Sequence, residues 1–330
     1  MLILAKASMA IMLGFIIAII VGLIIVPLFK EKNVGQSVSK LISKRHLEKE
    51  GTPTMGGIIF IIPVIAALTL LYLKGSVEIS YNLIIVIFTF LAYALLGFID
   101  DYLKVRHHNN NGLSLVTKFL IQMVIALVFF YLFMKGGGQS VLSITFLNIS
   151  IPMGWFFGIF ILLFLVGSSN AVNITDGLDG LAAGLSAIAF FAYGVISWNA
   201  GWLEGYEEIA IFCFLLSGSL IGFLVFNSHP ARIFMGDLGS LALGGALASV
   251  AIITRHEISL AVIGGVFVIE TLSSLIQIIA IRYFNKKVFL KAPLHHHFEE
   301  LGWQETDIIK LFWVVGFILA MAAIIYGVWL

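Results

Sequence analysis

The run Ser8-Met-Ala-Ile-Met-Leu-Gly-Phe-Ile-Ile-Ala-Ile-Ile-Val-Gly-Leu-Ile-Ile-Val-Pro-Leu28 carries no charge. Coiled as an α-helix it is long enough to cross a hydrocarbon layer of about 30 Å. Lys6 precedes it, but the apolar stretch is too long for a signal-peptide core and no cleavage site follows, so it reads as a retained span. Nine further apolar runs occur near residues 56–73, 82–98, 114–134, 152–168, 180–198, 207–226, 238–253, 259–281 and 308–329. They are continuous rather than alternating, and an open sheet would leave unpaired edges in lipid, so they read as helices. The 330 residues are 60% hydrophobic and 11% charged, with mean hydropathy +1.07, which excludes a soluble protein. The expected fold is an all-α polytopic membrane protein of about ten transmembrane helices. Residues 1–330 read as one integral-membrane domain, because no long hydrophilic linker and no internal repeat divides them. Gly136-Gly-Gly138, followed by weak alternation over Ser140–Ser150, predicts a short extracytoplasmic β-hairpin.

Orientation follows from the loop cations. The odd-numbered connections carry thirteen Lys and Arg, against four (Lys6, Lys74, Lys135 and Arg255) on the other side. The positive-inside rule places the odd connections in the cytoplasm and both termini outside. A net charge of +1 with no basic block argues against a nucleic-acid partner. Cys213, the single cysteine, excludes an internal disulfide and any cysteine-based metal cluster.

Polar residues on the cytoplasmic side carry the functional signal. Asp100 and Asp101 end the third run, and two adjacent carboxylates repel unless a cation or a catalytic task compensates. Pairing with Lys104 and Arg106 at a plain helix end is the bland alternative; a divalent metal or a general base is the functional one. Asn170, Asn173, Asp176 and Asp179 recur at every third residue in Ser168-Ser-Asn-Ala-Val-Asn-Ile-Thr-Asp-Gly-Leu-Asp-Gly180. On a helical segment that spacing lines amides and carboxylates along one face. A capped turn with Asp179 as N-cap would need only one of the four. Asp237 lies just before the eighth run, where a helix N-terminus stabilises a carboxylate or, with it, a phosphate-bound magnesium.

His295, His296 and His297 stand in Ala292-Pro-Leu-His-His-His-Phe-Glu-Glu300 and point apart on any regular backbone, so they do not form a three-ligand zinc site by themselves. One or two can contact phosphate, carry a proton or orient the others. Gly51-Thr-Pro-Thr-Met-Gly-Gly57 with Lys49 suits a phosphate, although it is not a Walker A loop and a plain turn has equal claim. Within the runs, Lys118 and Gln122 share a face, as do Glu270, Ser274 and Gln277. Such groups must face protein or water, as helix glue or as a substrate groove. Asp100, Asp101, Asp176, Asp179, Asp237 and seven of the eight histidines fall on the cytoplasmic face, which points to chemistry at the inner leaflet with magnesium held by carboxylates and phosphate oxygens.

These motifs resemble the polyprenyl-phosphate N-acetylhexosamine-1-phosphate transferases over nearly the whole chain, from Gly51–Gly57 to Pro293–Phe298. The Leu-His-His-His-Phe-Glu tract is similar to that of the branch using a muramoyl-pentapeptide substrate. The resemblance implies transfer of phospho-N-acetylmuramoyl-pentapeptide from UDP-MurNAc-pentapeptide to undecaprenyl phosphate, giving lipid I and UMP, with Mg2+ as cofactor. By that similarity Asp237 ligates magnesium and Asp100 or Asp101 deprotonates or positions the attacking lipid phosphate. His296 is essential to the reaction. Asn170, Asn173, Asp176, Asp179 and Asn227 line the substrate side, with Lys49, Thr54, Lys118 and Gln277 nearby and His295 and His297 shaping the site. The implied setting is a bacterial cytoplasmic membrane, with membrane lipid and a second copy of the chain as further partners. A related transferase using a UDP-N-acetylhexosamine without peptide is the nearest alternative. A secondary transporter is more remote, because it would place its ionisable residues near the bilayer midplane, where Glu270 is the one acidic candidate.

Overall fold

The computed structural model describes residues 2–32, 51–107, 112–144, 147, 149–201 and 203–326. Among the described residues the regular elements are helices apart from one hairpin, in the order α1 (Leu2–Glu31), α2 (Ile58–Leu73), α3 (Tyr81–Arg106), α4 (Leu115–Lys135), β1 (Val141–Ile144), β2 (Ile149–Pro152), α5 (Phe156–Thr175), α6 (Leu181–Trp198), α7 (Tyr206–Asn227), α8 (Gly236–Ile253), α9 (Glu257–Ile263), α10 (Gly265–Phe284), α11 (Leu294–Glu300) and α12 (Glu305–Ile324). Among the described residues nine of these helices are long and apolar enough to cross a membrane, and the 16-residue α2 is a shorter apolar helix. Each of the ten apolar runs is helical, the ninth as two helices, and the chain is a multi-pass membrane protein.

Local chemistry sets several boundaries. Ser80 and Ser114 cap α3 and α4, their side chains accepting from Leu83 N and Thr117 N. The hairpin pairs β1 with β2 antiparallel, from Val141 opposite Pro152 to Ile144 opposite Ile149. Three boundaries differ from the hydropathy reading. Asp100 and Asp101 do not end the third span, since α3 runs on to Arg106 and both carboxylates are buried. Helix α5 continues to Thr175, so Asn170 and Asn173 are helical rather than looped. The ninth run is broken at Gly264 into α9 and α10. Apolar residues flank the break on both sides, and hydropathy therefore does not register it.

Helix α8 is the axis of the bundle, with every residue from Leu238 to Ile253 buried. It packs against α3 on one side and α5 on the other. Close approach depends on glycine. A Cβ on Gly97 of α3 would strike the Asp237 carbonyl, and one on Gly244 would strike the backbone of Ser168 and Ser169 in α5. These contacts bring the first turn of α8 to the end of α3 that carries the two aspartates. Helix α1 sits at the edge and turns Leu4, Met9, Met12, Ile16 and Ile20 outward, as a lipid-facing helix should. An apolar cavity of about 280 Å³ lies between α5, α8, α9 and α10, lined by Leu163, Phe164, Leu247, Leu260 and Phe267 among others. Two of its other lining residues, Val268 and Leu272, are exposed, so it opens on the outer surface of the bundle.

Candidate active site

Three carboxylates meet where α3 and α8 converge. Asp100 and Asp101 come from α3 and Asp237 from the first turn of α8, each offering an oxygen within 4.8 Å of the others. Two lysines separate the like charges. Lys104 Nζ lies 2.6 Å from Asp100 Oδ2, 3.0 Å from Asp237 Oδ2 and 3.7 Å from Asp101 Oδ1. Lys118 Nζ, from α4, lies 2.6 Å from Asp237 Oδ2 and 4.0 Å from Asp100 Oδ2.

Each carboxylate is also aimed by a neutral donor. Asn173 Nδ2 donates to Asp237 Oδ1 at 2.7 Å and to Ser240 Oγ at 2.8 Å. Leu113 N donates to Asp100 Oδ1 at 2.8 Å. Leu238 N, in the first turn of α8, donates to Asp101 Oδ2 at 3.0 Å, so the positive end of that helix holds a carboxylate. Asp101 Oδ1 is buried and has no hydrogen-bond partner.

The Gly51–Gly57 segment lies against the entry to α8. Phe234 N donates to Pro53 O at 2.8 Å, while Gly56 N and Gly57 N donate to Phe234 O and Met235 O at 2.8 and 3.0 Å. This brings Thr54, buried and with an unpaired Oγ1, beside the carboxylates. Gly236 joins the two: its φ is 72°, and a Cβ there would run into the side chains of Asp101 and Thr54.

A second polar group forms around Asp179. Its Oδ2 accepts from Ala231 N at 3.0 Å and lies 3.0 Å from His229 Nδ1, while Asp179 N donates to Glu305 Oε1 at 2.8 Å. Asp179 does not cap α6, because Gly180 holds the N-cap position with φ 82°. Asp176 is the C-cap residue of α5. Asn227 is buried and spans its own turn, Nδ2 donating to Ile233 O at 2.9 Å.

The three histidines lie on the short α11 and diverge. His295 Nδ1 is 2.8 Å from Glu270 Oε2. His296 Nδ1 pairs with Glu299, one turn along. His297 Nδ1 accepts from Leu290 N at 3.2 Å. Burial pushes the His296 imidazole below its ordinary pKa, with Glu299 opposing that shift.

The structure therefore gathers Asp100, Asp101, Asp237, Lys118, Asn173 and Thr54 at one place. Asn170 instead bridges two helices, Nδ2 donating to Gln122 Oε1 at 3.0 Å. Gln277 clamps the chain itself, Oε1 accepting from Val288 N and Phe289 N at 3.0 Å each and Nε2 donating to Phe289 O at 3.0 Å. Lys49 lies outside the described residues. Sequence reasoning passed over Lys104 as a site residue, reading it only as a pairing partner for Asp100 and Asp101. Its signal was the spacing, three and four residues after the carboxylates on one helix face. Ser240, His229 and Glu305 gave no such signal, since only the tertiary fold brings them to their partners. Chemically, three converging carboxylates can hold a hard divalent cation, and two lysines beside them can neutralise phosphate oxygens.

A helical membrane bundle with this centre at one end fits the class whose family model the chain matches, glycosyl transferase family 4, over residues 83–255. Phospho-N-acetylmuramoyl-pentapeptide-transferase signature 1 matches residues 49–61. The phospho-N-acetylmuramoyl-pentapeptide-transferase of Geobacillus sp. (strain WCH70) is 46% identical over 322 residues, 98% of each chain. That of Bacillus subtilis (strain 168) is 44% identical over 320 residues, 97% of each chain. The chain belongs to the phospho-N-acetylmuramoyl-pentapeptide-transferase family.

Proposed function

We propose that the chain transfers phospho-N-acetylmuramoyl-pentapeptide from UDP-MurNAc-pentapeptide to undecaprenyl phosphate, giving lipid I and UMP. The observation that carries the reading is the meeting of Asp100, Asp101 and Asp237 with Lys104 and Lys118 at the end of a lipid-embedded bundle. In the reaction an oxygen of the lipid phosphate bonds to the sugar-linked phosphorus, the bridging P–O bond breaks, and UMP leaves with the electron pair. Attack of one anion on another makes charge neutralisation and alignment the main catalytic tasks.

Asp237, with Asp100 and Asp101 beside it, would hold magnesium. The fit rests on an all-oxygen donor set and on Asp101 Oδ1, buried without a hydrogen-bond partner. When bound, the ion supplies Lewis-acid neutralisation of diphosphate oxygens. Lys104 and Lys118 bind phosphate oxygens and hold Asp237 in place; Asp100 or Asp101 positions the attacking phosphate or takes its proton. Asn173 keeps Asp237 oriented. Asp176, Asp179 and Asn227 line the nucleotide side, with Lys49 and Thr54 near the phosphates, and His296 is essential to turnover. The apolar cavity between α5, α8, α9 and α10 holds part of the polyprenyl chain. The site faces the cytoplasm across a bacterial inner membrane, in keeping with thirteen loop cations on its side against four on the other.

The test is product analysis. Purified protein, magnesium, undecaprenyl phosphate and UDP-MurNAc-pentapeptide labelled in the sugar should move label into the lipid phase. Label moving only from UDP-N-acetylglucosamine would assign the chain to the neighbouring branch, and none from either would overturn the transferase reading.

A further inference from the structure

Glu270 has no task in the reaction above, yet it is 0% exposed on a helix at membrane depth. A carboxyl group there must find donors. Both come from one residue: His295 N donates to Oε1 at 3.1 Å, and His295 Nδ1 lies 2.8 Å from Oε2. Seven residues further along the same face of α10, Gln277 holds Val288 and Phe289. One helix face thus ties down both ends of the segment that delivers the histidines.

We propose that Glu270 is a positioning residue for the reaction: it fixes His295 as the Nδ1–H tautomer and so sets the bare Nε2 lone pair against the Gly177 turn, between α5 and the Asp179 cluster. Oε1 is committed to a backbone N–H. A carboxylate accepting through both oxygens makes Nδ1 the donor, and in the neutral imidazole Nε2 then carries the lone pair. Nε2 is buried, has no hydrogen-bond partner and abuts Gly177 so closely that a Cβ on that residue would collide with it. His295 is itself 1% exposed, so its ring has no freedom to turn away. The His296 ring packs on it with centroids 4.2 Å apart, and displacement of His295 therefore displaces the histidine assigned to turnover. The Glu270–His295 pair connects a lipid-embedded helix to both the histidine helix and the Asn/Asp turn. The catalytic part of this inference rests on the transferase reading; the tautomer does not.

Glu270→Gln is isosteric and inverts the logic. Its single amide oxygen serves the His295 N–H, its NH2 then faces Nδ1, and the imidazole proton moves to Nε2. The experiment is 15N–1H correlation spectroscopy of full-length protein labelled at histidine in detergent, with His295 identified by its loss in His295→Gln, alongside steady-state kinetics. Wild type should show Nδ1–H with an unprotonated Nε2, and Glu270→Gln the reverse. With the inversion, kcat should fall by about 10- to 100-fold while both KM values stay close to wild type. An unchanged tautomer in Glu270→Gln, or an unchanged kcat beside an inverted tautomer, overturns the proposal. Should Glu270→Gln fail to fold, Gly177→Ala serves: it leaves Glu270 intact, should retain Nδ1–H and should still lower kcat, and an unaffected kcat contradicts the contact. A wild-type protein with the expected tautomer but no transferase activity would sink the functional reading and leave the pair intact.

Discussion

Lys118 Nζ and Asp237 Oδ2 lie 2.6 Å apart although 119 residues separate them. The same oxygen is 3.0 Å from Lys104 Nζ, so two cations from two helices converge on one carboxylate of a third. Three carboxylates against two ammonium groups leave room for a divalent cation, which together with the lysines would offset the charge of the phosphates that the reaction brings together.

Because both lysines serve one oxygen, their removal is not independent. Lys104→Ala and Lys118→Ala should each slow transfer, and the double variant should depart from additivity by about 0.5–3 kcal/mol. A double-mutant cycle on kcat/KM checks this, and strict additivity would mean that the lysines act at separate places.

Packing supports the site at Gly97. Its missing side chain leaves room for the Asp237 carbonyl, so Gly97→Ala forces α3 and α8 apart. Overpacking of this kind costs about 1–3 kcal/mol. A lowered thermal midpoint in detergent together with lost activity is expected, and an unaffected midpoint would refute the tight approach.

Much of this was legible beforehand. Every one of the ten apolar runs proved helical because the hydrocarbon requirement is a matter of length and composition. Asp100, Asp101 and Asp237 stood out because a charge at a span boundary is costly unless it has a task. The break at Gly264 was invisible, since Glu257–Ile263 reads as the apolar start of the next helix. Lys104 was seen only as a helix-end partner, because nothing in its own segment reveals that α8 delivers Asp237 to it. Glu270 and Gln277 were recognised as sharing a face, but their partners lie on a segment that only tertiary structure brings back to α10.

At the opposite end of the bundle, burial pushes the Glu257 carboxyl up to about 8 from the usual 4.5, with its own backbone N–H and the Arg255 charge opposing the rise. Between those values the folded protein binds more protons than the unfolded chain, so stability falls as pH rises from about 4.5 to about 8. Glu257→Gln should flatten the thermal midpoint across that window. A wild-type midpoint independent of pH there would contradict the burial argument.

His296 titrates below its ordinary value because it is buried, so the acid limb of its contribution to activity lies below pH 6.5. Glu299 raises that pKa, and Glu299→Gln should move the limb lower still. A pH–rate profile of the two proteins measures the shift, and a limb displaced upward would show that Glu299 acts otherwise.

The central claim is that Asp237, held by Asn173 and two lysines, is the metal-binding carboxylate of a phosphosugar transferase. UMP release from UDP-MurNAc-pentapeptide and undecaprenyl phosphate, titrated with magnesium in wild type and Asp237→Asn, tests it most directly. Magnesium-dependent release in wild type, reduced by at least about 100-fold in the variant, is the predicted result. Wild-type rates in Asp237→Asn with the same magnesium dependence would contradict it.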